Sequence, residues 1–204
     1  MFPTGSFDRM KNELYDRENI KGTDIPITVG ILILDFCRQF CKENIFNQLE
    51  RLDKRSGQLI DFYIPGYCKT KDVDEHYNES YKFKNESYSF DSYYFYDFID
   101  QLEALELKVT GHAQLLLIPF IKGHLDIKNA LSFDLEKDEK RGKIESVKLF
   151  FDFIIEIASE TVAFEEFRKN TRLDRRKRTM LAFIKEKAPE AVLSFLVSAC
   201  SGKV

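Results

Sequence analysis

The chain has 204 residues, with 31 Lys and Arg against 34 Asp and Glu and a formal charge of −3. At 44 % hydrophobic and 32 % charged residues it reads as an ordinary globular sequence, long enough to bury a core. That balance excludes recruitment to nucleic acid or an anionic membrane by the global field, so any such partner needs a local patch.

In chain order, residues 1–26 form an N-terminal segment in which Phe7, Met10, Leu14 and Tyr15 share one helical face. No apolar run follows a basic start, so no secretory signal is expected. Pro26 ends any leading helix, because the residue before a proline avoids helical geometry. Ile27 to Asp35 is apolar on nearly every residue and β-branched, the pattern of a strand covered on both faces. A helix is predicted from about Phe40 to Arg55, with the stripe Ile45, Phe46, Leu49, Leu52 and Gly57 as its left-handed cap. Leu59 to Ile64 returns as a strand, stopped by Pro65-Gly66, and a strand–helix–strand of this size predicts a parallel crossover.

Residues 65–92 read as an insertion, polar and tyrosine-rich. Tyr81 and Phe83, then Tyr88 and Phe90, alternate around Lys84-Asn85-Glu86, which fits a small surface hairpin and fits a mobile loop as well. Asp91 or Ser92 can cap a helix with the stripe Phe95, Phe98, Ile99, Leu102, Leu105. Ala113 to Phe120 is a further buried strand. Leu131, Phe133 and Leu135 alternate as a half-exposed strand, followed by a turn over Asp138–Gly142. From Ile144 the apolar face Val147, Phe150, Phe151, Ile154, Ile155, Ala158, Val162 predicts a helix to about Phe167. Residues 168–204 are a basic connector and C-terminal helices. One helix is expected over Thr179–Lys187, and a last one is apolar almost all round through Val192, Leu193, Phe195, Leu196 and Val197. Such a helix must be covered by this chain or by a partner.

The expected architecture is therefore α/β, a mixed four-stranded sheet in the order β-α-β-α-β-β-α over residues 27–167, with helices on both faces and a C-terminal helical extension. Within it Asp35-Phe36 ends the first strand, and Cys41-Lys42-Glu43-Asn44 opens the first helix. Gly111-His112-Ala113 leads into the third strand, and Gly123 follows it. This order and these residues resemble the thioredoxin fold over about residues 25–165. The resemblance implies that Cys41 stands at the nucleophilic cysteine, Asn44 at the second cysteine, Asp35 at the buried acid and Ala113 at the cis-proline. Asn44 cannot resolve a mixed disulfide. Cys37 lies one helical turn before Cys41, where disulfide geometry is poor unless the backbone is non-helical.

The candidate chemistry has two readings at each place. Cys41, with Asp35, is a thiolate activated by a helix N-terminus and nearby Arg38 or Lys42, or else a buried cysteine acting as a small hydrophobe. The run Arg168, Lys169, Arg172, Arg175, Arg176, Lys177, Arg178 contacts phosphates or an acidic protein surface, or is a solvated connector. His76, His112 and His124 lack ligand spacing, so no metal is expected, and no phosphate-loop or nucleophile-elbow motif occurs. No cofactor is expected. With four cysteines (Cys37, Cys41, Cys68, Cys200), too few for a disulfide framework, and no span of ~18 apolar residues, a cytoplasmic address without a membrane is expected. The leading expectation is a non-catalytic module making protein–protein contacts or self-associating through its helical tail. The alternatives are a single-cysteine enzyme, a reductase or glutathione-linked transferase using Cys41, and nucleic-acid contact through residues 168–178.

Overall fold

A computed structural model describes residues 2–24, 26–35, 37–57, 59–70, 80–110, 112–159, 182–184 and 186. The N-terminal segment joins the sheet domain. Strand β1 (Phe2–Thr4) leads into helix α1 (Phe7–Lys21), which Ser6 caps by accepting the Arg9 amide. Phe7, Met10 and Leu14 are buried as their spacing predicts. The strand went unread because three residues containing a proline carry no periodicity. Pro3 is tolerated since β1 is an edge strand, where a missing donor costs no ladder bond on the open side.

Strand β2 (Ile27–Leu34) is buried at every position. The predicted single helix after it is broken into α2 (Gln39–Asn44), a 3-10 turn (Phe46–Gln48) and α3 (Leu49–Ser56). Amide side chains explain the break. Asn44 Nδ2 donates to the Phe40 carbonyl at 3.1 Å, and Gln48 Nε2 to the Asn44 carbonyl at 2.8 Å, competing with the helical ladder. Ile45, Leu49 and Leu52 still face the core, and Gly57 caps α3 at φ +49°.

Strand β3 (Ile60–Pro65) runs parallel to β2 and to β1. The insertion is ordered where it is described: β4 (Tyr67–Lys69), β5 (Ser80–Phe83) and β6 (Glu86–Phe90) form a three-stranded antiparallel sheet. The expected hairpin is present, turning at Lys84 and Asn85 with φ +50° and +63°. One face of it is exposed, as a surface hairpin's is, while Tyr81, Phe83 and Tyr88 point into the main core. Helix α4 (Ser92–Ala104) starts at Asp91, whose carboxylate accepts the Tyr93 and Tyr94 amides.

Strand β7 (Ala113–Ile121) is antiparallel to β2. On its other edge it pairs with β8 (His124–Leu125) and β9 (Leu131–Asp134). The principal sheet therefore has six strands in the described residues, ordered β1-β3-β2-β7 and then β8 and β9, where four were predicted. Leu135 does not extend β9. It opens helix α5 (Leu135–Lys140), capped by Asp134, in most of the stretch read as a turn. Helix α6 (Val147–Ser159) begins three residues later than Ile144. Its predicted end near Phe167, the basic run and the last helix lie outside the described residues.

Alternation along β2 and β7 divides the interior in two. Leu32, Leu34, Leu115 and Leu117 face α3, α6 and the hairpin; Val29, Ile31, Leu116 and Ile118 face α1 and α4. Phe183 and Ile184 are buried in the first of these cores, the Phe183 ring lying 5.9 Å from that of Phe133.

Candidate functional site

The sheet places its chemistry where β2 ends. Leu34 pairs with Ala113, so the next residue, Asp35, meets His112 across the strand pair. The Asp35 amide donates to the His112 carbonyl at 2.9 Å. Asp35 Oδ1 accepts the Cys37 amide at 2.9 Å, a turn that leads the chain into α2. Its Oδ2 lies 3.6 Å from His112 Nδ1 and 3.8 Å from Arg38 Nε. The Asp35 side chain is 32 % exposed, not the buried acid that the resemblance implies, because it stands beyond the last strand pair.

Cys41 lies in the first turn of α2 and is 0 % exposed. Its thiol donates to the His112 carbonyl at 3.2 Å. One carbonyl thus ties together the end of β2, the start of α2 and the approach to β7. Burial pushes the Cys41 thiol up to about 11, against a smaller opposing effect of the Asp35 amide. A six-residue helix and Arg38 do not offset that desolvation, so the group is a thiol and not a thiolate at neutral pH. Cys37, in the turn before the helix, is exposed. Asn44 spends its amide on the Phe40 carbonyl, and Ala113 is an ordinary buried strand residue.

Arg38 also donates to Glu136 Oε2 at 3.0 Å, and Lys140 donates to Glu136 Oε1 at 2.6 Å. These two cations, Lys140 first, hold the Glu136 carboxyl below its ordinary range. Beside them opens a cleft of about 470 Å³, lined among others by His112, Thr110, Lys137 and Arg141. Its wall carries four cations (Arg38, Lys137, Lys140, Arg141) against two carboxylates (Asp134, Glu136), so it favours anions.

The sequence singled out Asp35 and Cys41, and the structure does bring them together. It adds His112, Glu136 and the cleft. The resemblance had set Gly111-His112-Ala113 in this region without giving His112 a role, and Glu136 arrives through its contact with Arg38, which residue patterns do not display. The basic residues Arg168 to Arg178 and Cys200 lie outside the described residues. Among the described residues no helix is long and apolar enough to cross a membrane. No protein-family model, curated protein or solved structure matches the chain.

Proposed function

We propose that this chain is a non-catalytic module of thioredoxin-like build that works by protein–protein contact through its C-terminal residues. The build is supported by the passage from β2 through α2 and α3 to parallel β3, then α4, antiparallel β7 and β9, and α6. The observation that carries the non-catalytic reading is Cys41: fully buried, donating its proton to a backbone carbonyl, and raised to about 11. A thiol enzyme using Cys41 alone requires an accessible thiolate at neutral pH, the opposite condition. A resolving thiol has no counterpart in Asn44.

The test is affinity capture with three forms of the protein: wild type, Cys41→Ser, and a chain ending at Lys187, which keeps Phe183 and Ile184 in the core. Wild type and Cys41→Ser capture the same partner, and the shortened chain loses it. Capture that depends on Cys41, or rapid alkylation of Cys41 in the folded protein at neutral pH, overturns the proposal.

A further inference from the structure

Helix α4 buries Phe98 and Leu102 and turns a different stripe outward. Tyr93 and Tyr96 are 75 % and 65 % exposed, and Asp97, Asp100 and Glu103 are exposed along the same side. Their spacing of three and four residues makes them neighbours on the helix surface. Residues Ser92 to Ala104 include no Lys or Arg. The side chains of Asp97, Asp100 and Glu103 form no ion pair or hydrogen bond with a described residue. The Tyr96 ring meets Phe95 edge-on at 5.6 Å, Phe95 lies 5.2 Å from Phe90, and the Tyr93 ring meets Tyr94 edge-on at 5.7 Å. Phenol rings beside carboxylates that no described residue pairs suit a guanidinium. The ring face attracts the cation, and the carboxylate binds it through paired hydrogen bonds.

The chain supplies such a segment. Residues 168–178 hold seven Lys or Arg, five of them Arg, against one Asp. Both ends of residues 160–181 are fixed on the far side of the sheet. Helix α6 precedes them and Phe183-Ile184 follows, and all of these pack in the core opposite to that of α4. In one copy α4 therefore lies across the sheet from the described residues on both sides of the run, a restriction that α4 of a second copy does not share.

We infer that the tyrosine–carboxylate face of α4 docks the basic run 168–178 of a second copy of this chain. The inference goes beyond the proposed function: there the residues after Lys187 make the captured contact, whereas here the basic run meets a second copy. The contact joins two different surfaces, so it is head-to-tail, and each added copy leaves one surface of each kind open.

The experiment is sedimentation velocity over a range of protein concentrations, in about 50 mM and about 500 mM salt. It compares wild type, Asp97→Lys with Asp100→Lys, Arg175→Glu with Arg176→Glu, and an equal mixture of the two double variants, with folding checked by circular dichroism. Wild type associates at low salt and dissociates at high salt. Each double variant associates roughly tenfold more weakly or worse. The mixture regains association, because the basic run of the first variant meets an intact α4 on the second. A wild type that stays monomeric at low salt overturns the inference, as does a mixture that fails to pair. Association that nuclease treatment abolishes is bridged by nucleic acid and overturns it too. If the Asp97→Lys, Asp100→Lys chain keeps both its self-association and its captured partner, the inference falls while the proposed function stands.

Discussion

At the scale of one residue, Cys41 carries the most consequence, and its behaviour follows from burial. The folded thiol keeps its proton up to about pH 11, whereas an unfolded cysteine releases it near 9. Below pH 9 both states are protonated and the thiol's contribution to stability is whole. Between 9 and 11 the native state binds more protons than the unfolded one, so stability falls as pH rises. Two units correspond to about 2–3 kcal/mol. Urea titrations of wild type and Cys41→Ala should therefore show a constant stability difference below pH 9 that narrows by about that amount towards pH 11. A difference independent of pH would mean that Cys41 is not buried as described. In the folded protein a thiol reagent should modify Cys37 before Cys41, which it reaches only in denaturant, and mass spectrometry of the alkylated chain reads this directly. Cys41 and Asp35 were legible in the sequence because a strand ending in an acid, followed by a helix-opening cysteine, is a local pattern. His112 and Glu136 were not, since they arrive from β7 and α5 through pairings that join residues far apart in the chain.

At the scale of elements, the strong local signals held. Strand β2 was announced by a nearly continuous apolar run rich in β-branched residues, α4 by Asp91 and its stripe, and the β5–β6 hairpin by alternating aromatics about Asn85. The failures share a cause: α2 breaks, α5 forms and β1 pairs because of side-chain amides, a cap and a sheet edge, none of which alters hydrophobic periodicity. Where β3 meets α4, the close approach depends on Gly66. It has φ +78°, and a Cβ placed there would lie 2.6 Å from the Cβ of Phe95 and 3.0 Å from the Phe90 ring. Gly66→Ala must accept a strained backbone and displace α4, and should cost about 2–4 kcal/mol. Asp91→Ala removes the cap of the same helix without a clash, and about 1 kcal/mol is expected. Chemical denaturation ranks the two, and an equal or reversed order would contradict the packing of α4 on Gly66.

At the scale of the whole molecule, the sheet separates two cores, and the C-terminal residues touch one of them. Phe183 and Ile184 extend the α6 core against Phe133, while Glu186 next to them makes an exposed ion pair with Lys143 at 3.2 Å. A pair so open to water is worth little, within about 1 kcal/mol. A buried phenylalanine cut back to alanine typically costs about 3–5 kcal/mol. Within the C-terminal region, Phe183-Ile184 is thus an anchor that belongs to the fold. Phe183→Ala should lower the urea midpoint by an amount matching about 3 kcal/mol, whereas Glu186→Ala should leave it nearly unchanged. If Phe183→Ala proves neutral, the anchor is not part of the core.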